Sequence, residues 1–75
     1  MFEMYGAEWC GYCDKAKELF AVNGVSFEYK DVDIDQVGDE FLVEYGKAKL
    51  PQIKVDGKRI GGYSDLVEYL SSLDD

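Results

Sequence analysis

An α/β domain of order β-α-β-α-β-β-α, with a four-stranded mixed sheet flanked by three helices, is the fold class that this sequence predicts. Three observations carry it. Apolar residues alternate with polar ones at Phe2 and Met4, and again at Val25, Phe27 and Tyr29, and such period-two runs read as strands. The segments after them return apolar residues at helical spacing. Finally, Asp56-Gly57 between two short alternating runs is the two-residue signal of a type I′ hairpin. The β-α-β start requires a parallel pair with a right-handed crossover, and the hairpin adds antiparallel strands, so the sheet is mixed.

Gly6 closes the first strand. From Tyr12 onward Cys13, Ala16, Leu19 and Phe20 share one helical face, with Asp14, Lys15, Lys17 and Glu18 on the other. Asn23-Gly24 supplies the stop, which predicts a helix from about Gly11 to Asn23. The second strand follows from Val25 and fades toward Val32 and Ile34 into an acidic bend at Asp31 to Asp35. Val37, Phe41 and Tyr45 stand four apart, with Leu42 beside them and Gly46 behind them. A second helix is therefore expected over about 36–45, its start blurred by Gly38. Ile53 and Val55 form the third strand after Pro51, and Lys58 to Ile60 the fourth, ended by Gly61-Gly62. Ser64 is expected to cap a last helix that turns Leu66, Val67, Leu70 and Leu73 inward, with Asp65 in the favourable first turn.

A chain of 75 residues has room for one domain, read as residues 1–75, and buries only about 60% of its unfolded surface. Its 47% apolar content, with 8 Gly and 1 Pro, excludes fibrous, low-complexity and disordered classes. Sixteen acidic residues against eight basic ones, a net charge of −8 and no histidine exclude a phosphate-tracking surface, and with it nucleic acid and anionic membranes as partners. The same charge favours encounter with basic partner surfaces. No apolar run approaches the ~20 residues of a membrane span, and no basic segment followed by an apolar stretch opens the chain. A monomer in the cytoplasm is the expectation.

The two cysteines, Cys10 and Cys13, are too few for a multi-bridge scaffold, and without imidazoles they do not complete a four-ligand zinc site. Cys10 falls where the first strand has ended and the first helix begins, so first-turn N–H groups can donate to its sulfur. Helix polarity also favours a negative sulfur there. A disulfide across so small a loop would constrain the unfolded chain little. In a β-α-β setting the spacing instead points to redox chemistry, with Cys10 the attacking thiol and Cys13, one turn further in, the resolving thiol.

Cys10-Gly11-Tyr12-Cys13, Leu50-Pro51-Gln52-Ile53 and Gly61-Gly62-Tyr63-Ser64-Asp65 together resemble the glutaredoxin family, in the expected order across nearly the whole chain. The resemblance implies the thioredoxin fold, glutathione as reductant, and thiol–disulfide exchange on protein disulfides or glutathione mixed disulfides, with no metal required. Short members of this size, some carried by bacteriophages, commonly act as hydrogen donors to ribonucleotide reductase, so the resemblance implies that enzyme as a candidate partner. By the same resemblance Pro51 has a cis peptide bond and faces the site, leaving the backbone of Leu50 to pair with a bound peptide. Gly62, Ser64 and Asp65 would hold the γ-glutamyl end of glutathione, Lys47 its glycyl carboxylate, and Tyr12 would flank the tripeptide.

Three departures bear on function. Gly11 replaces the family's commonest proline, which by resemblance opens a cluster-carrier alternative in which two chains hold a 2Fe-2S cluster through Cys10 and two glutathiones. Ala7 stands where many members carry Lys or Arg. Trp9 before Cys10-Gly11 resembles thioredoxins instead, and raises a second alternative, an electron donor reduced by thioredoxin reductase.

Overall fold

β1 (Phe2–Gly6) lies in the interior of the sheet, so both of its edges are paired. The computed structural model describes residues 1–73 and continues with α1 (Gly11–Val22), β2 (Phe27–Asp31), α2 (Asp35–Tyr45), β3 (Gln52–Val55), β4 (Lys58–Gly61) and α3 (Tyr63–Leu73). The strand order is β2-β1-β3-β4. β1 runs parallel to β2, with Phe2 opposite Phe27, and antiparallel to β3, with Met4 opposite Ile53. The β3–β4 hairpin turns through Asp56 at φ 52° and Gly57 at φ 83°, the two left-handed residues that a type I′ turn requires.

Alternation along β1 assigns residues to layers. Phe2 and Met4 turn toward α1 and α3, where Phe2 meets the edges of Phe20 and Tyr69 at centroid distances of 5.3 and 5.7 Å. Tyr5 turns the other way, onto Phe41 and Tyr45 of α2 at 5.5 and 5.6 Å. The main core is Phe20, Met4, Ile53, Leu66 and Cys13, all fully buried. Phe20 stacks on Phe27 at 4.4 Å besides meeting Phe2. Phe20→Ala should therefore cost about 3–5 kcal/mol, a large share of the roughly 4–11 kcal/mol available to a domain of this length. Thermal unfolding of the variant checks this; a loss below about 1 kcal/mol would mean that the core had been misplaced.

Several element boundaries differ from those expected. β2 begins at Phe27, because the N–H of Val25 is already donated to the carbonyl of Phe20 at 2.9 Å, closing the end of α1. Gly38 lies inside α2, where a Cβ would stand 2.5 Å from the carbonyl oxygen of Val32. Its place is set by that backbone approach. Ser64 does not cap α3; the helix starts at Tyr63, the Gly62 carbonyl accepts from Leu66 N–H at 3.0 Å, and the Gly62 N–H donates to Asp65 Oδ2 at 3.0 Å. Only Leu66 and Leu70 of the expected inward face are buried, while Val67 and Leu73 are 36% and 59% exposed. Val67 is turned off the Leu66–Leu70 stripe, and half-buried Tyr63 and Tyr69 complete the contact instead. On α2 the apolar contact narrows to Phe41 and Tyr45, leaving Leu42 exposed.

Candidate active site

Strand β1 ends at Gly6 and α1 begins at Gly11, which leaves a short turn whose last residue, Cys10, takes the N-cap position with extended backbone (φ −97°, ψ 112°). Two bonds hold that turn: Cys10 N–H donates to Ala7 O, and Asp14 N–H to Cys10 O, each at 3.2 Å. The Cys10 sulfur serves as the cap acceptor, receiving the Cys13 N–H at 3.2 Å. One of the otherwise unpaired first-turn N–H groups of α1 is thereby satisfied by the sulfur. Both cysteines are free thiols.

Their environments differ. Cys10 retains 9% of its surface, whereas Cys13 has none. Burial, together with a hydrogen bond to the Cys10 side chain, pushes the Cys13 thiol up to about 12, with the Ala7 backbone and, to a lesser extent, Lys17 pulling the other way. Cys13 is accordingly a neutral thiol at physiological pH. Brief treatment of the reduced protein with iodoacetamide at pH 7 should place one label, on Cys10. Peptide mapping checks this, with labelling of Cys13 appearing only as the pH climbs toward 12 or the fold opens. Label on Cys13 at neutral pH would contradict the assignment.

A groove of about 250 Å³ starts at Tyr12, inside the dithiol turn, and runs between the β3 entry and the N-terminus of α3. It is lined by Tyr12, Lys49, Leu50, Pro51, Gln52, Gly62, Tyr63, Ser64 and Asp65. The Leu50–Pro51 peptide bond is cis. Tyr12 and Tyr63 face each other at 5.9 Å, and Lys15 Nζ stands 5.0 Å from the Tyr12 ring centre. The groove thus offers aromatic walls, a cation and a carboxylate around a helix N-terminus, a setting suited to a small zwitterionic peptide.

Of the residues singled out from the sequence, the groove gathers Tyr12, Leu50, Pro51, Gly62, Ser64 and Asp65. Lys47 is exposed and does not line it; Lys49, two residues on, does. Lys49, Gln52 and Tyr63 escaped the sequence reading. Gln52 Nε2 donates to Lys49 O at 2.7 Å and closes the loop that presents Lys49, a contact with no periodic signature. Gln52 and Tyr63 both stand within the segments that carry the family resemblance, which is the signal that marks them. Ala7 is fully buried and belongs to the core.

Gly11 faces open space, with nothing within 4 Å of a Cβ built on it. Among the described residues no group of three or more His, Cys, Asp and Glu is gathered to hold a metal. A cluster would need ligands from beyond this chain.

The glutaredoxin family model matches residues 2–60. Glutaredoxin 3 of Escherichia coli strain K12 is 38% identical over 65 residues, covering 85% of this chain and 78% of that protein. Among solved structures, a buckwheat glutaredoxin–glutathione complex superposes with a TM-score of 0.79 at 27% identity, over 95% of this chain and 68% of that one. A variant of a thioredoxin-like protein matches over 100% of both chains, with a TM-score of 0.77 and 28% identity. The fold is thioredoxin-like.

Proposed function

Because the chain belongs to the glutaredoxin family and is therefore a thiol–disulfide oxidoreductase, we propose that glutathione is its reductant, Cys10 its nucleophile and Cys13 its resolving thiol. The observation that supports this most is the groove that opens inside the dithiol turn and ends on the N-terminus of α3. First-turn N–H groups of α3 suit the γ-glutamyl carboxylate of glutathione, and Asp65 its ammonium group. Pro51 lacks an N–H and leaves Leu50 to pair with the peptide backbone. Lys49 lines the end suited to the glycyl carboxylate, with exposed Lys47 nearby in the same loop.

In the exchange, the Cys10 thiolate attacks one sulfur of a substrate disulfide, forming a mixed disulfide and expelling the other sulfur as a thiolate that takes up a proton. For a protein disulfide, Cys13 then gives up its proton and attacks the Cys10 sulfur, releasing the second substrate thiol and leaving a Cys10–Cys13 disulfide. One glutathione attacks at Cys10 and frees Cys13. A second attacks the resulting mixed disulfide, which yields glutathione disulfide and the reduced dithiol. Two glutathiones are oxidised for each disulfide reduced.

By the same resemblance, ribonucleotide reductase is a candidate protein substrate, and the reducing cytoplasm is the compartment such a dithiol suits. Among the described residues, no helix is long and apolar enough to cross a membrane. Exposed Trp9 and the full-length match to a thioredoxin-like protein favour a second reading, reduction by thioredoxin reductase. The glutathione reading is tested on the Cys13→Ser variant. Glutathione disulfide should add one glutathione to Cys10, with NMR amide shifts at Tyr12, Lys49, Gly62 and Ser64. No adduct, or shifts confined elsewhere, would overturn it.

A further inference from the structure

Trp9 directly precedes Cys10 yet takes no part in the groove that starts at Tyr12. Its side lies elsewhere. The groove uses β3, β4 and α3, whereas the Trp9 indole reaches the β2–α2 loop, and β2 and β3 flank β1 on opposite sides. There Trp9 Nε1–H donates to Asp33 Oδ2 at 2.8 Å. The acceptor is itself held, because Asp33 N–H donates to Asp31 Oδ1 at 2.9 Å and Ile34 N–H to Asp31 O at 3.1 Å.

The indole is 70% exposed in spite of this anchoring, and Ile34 beside Asp33 is 57% exposed. A large aromatic side chain with its orientation already set loses little further freedom when a partner covers it. Such residues are the usual energetic centres of protein contacts. The surrounding charge names the kind of partner. Glu8, Asp31, Asp33 and Asp35 all lie within two residues of Trp9 or Asp33, and Lys17, 3.8 Å from Glu8, is a cation paired into this rim. With a net charge of −8 on the chain, the rim attracts Lys and Arg, and an exposed indole face adds cation–π attraction for a guanidinium.

We propose that the Trp9–Asp33 pair is a docking platform for protein disulfides that carry an apolar residue and an Arg or Lys beside the attacked cysteine, and that glutathione binds without it. The proposal rests on the assignment of Cys10 as the nucleophile. It separates two substrates of one sulfur: glutathione approaches from the β3–α3 side, and a protein chain also covers the β2 side.

The test compares three probes with glutathione as reductant: the mixed disulfide of glutathione with mercaptoethanol, and two synthetic peptides with the same disulfide loop flanked by Leu-Arg or by Leu-Glu. The wild-type chain should prefer the Leu-Arg peptide by about tenfold or more in kcat/KM, and the preference should shrink as salt is raised. Trp9→Ala should lose about tenfold on the Leu-Arg peptide while staying within about twofold on the mixed disulfide. Asp33→Ala, which releases the indole, should follow Trp9→Ala. Asp33→Asn, which keeps an acceptor oxygen, should retain activity on both peptides while the preference between them narrows. Thermal melts confirm that each variant is folded. Equal wild-type rates on the two peptides, or an equal loss on all three probes in Trp9→Ala, would overturn the platform. If the nucleophile assignment were at fault instead, Cys10→Ser would still turn over the mixed disulfide, whereas a failed platform leaves that control inactive.

Discussion

Cys10→Ser should abolish disulfide reduction, lowering kcat/KM by about a thousandfold or more on every substrate, because no second thiol can begin the exchange. Cys13 cannot substitute for it. It has no exposed surface, and burial beside Cys10 pushes its thiol up to about 12. Cys13→Ser should divide the activities: reduction of glutathione mixed disulfides continues, since glutathione itself can attack the Cys10 adduct, while protein disulfides accumulate as trapped mixed disulfides. Steady-state turnover of a glutathionylated peptide and of a peptide disulfide, measured side by side, reads both effects. Turnover in Cys10→Ser, or equal loss of the two activities in Cys13→Ser, would reverse the roles given to the pair.

Gly61→Ala should damage the groove from a position that never touches the sulfur. Gly61 has φ +118°, a conformation that side-chain-bearing residues rarely adopt, and a Cβ there would stand 2.2 Å from Asp65 Oδ2 and 2.6 Å from its Cγ. The carboxylate would have to leave the Gly62 N–H that it accepts at 3.0 Å, opening the first turn of α3 and removing the partner proposed for the glutathione ammonium. The backbone term alone is about 1–3 kcal/mol. The expected result is a lowered Tm together with a rise of about tenfold in KM for a glutathionylated peptide, one charge-assisted contact being worth that much or more. Asp65→Ala should reproduce the KM change with a smaller loss of Tm, since the backbone at Gly61 is untouched. An unchanged KM in both variants would remove Asp65 from the glutathione site.

These two sites show where the sequence is informative. Alternation in β1, the Asp56-Gly57 hairpin and the Cys10 to Cys13 spacing are local signals, each read over a few residues, and they placed the sheet and the dithiol. The start of α3 was harder, because it depends on the Asp65 carboxylate folding back to Gly62, and Ser64 has the composition of a cap without the position. Lys47 and Lys49 share a loop with no periodicity to rank them; the Gln52 contact that presents Lys49 belongs to the folded chain. The Trp9–Asp33 bond joins residues 24 apart in sequence. Nothing in the local pattern around either residue announces it, and it exists only because β1 and β2 pair in parallel and bring their following loops together.

Trp9 is the single tryptophan of the chain and stands next to Cys10, so its fluorescence reports the redox state of the dithiol. The oxidised Cys10–Cys13 protein mixed in a stopped-flow instrument with glutathione, and separately with NADPH and thioredoxin reductase, gives the most direct test of glutathione as reductant. Rapid reduction by glutathione that saturates with concentration, and slow reduction by the reductase, is the predicted result. Efficient reduction by the reductase alone would contradict it, assigning the chain to thioredoxin-type electron transfer while leaving the fold and the order of the two cysteines in place.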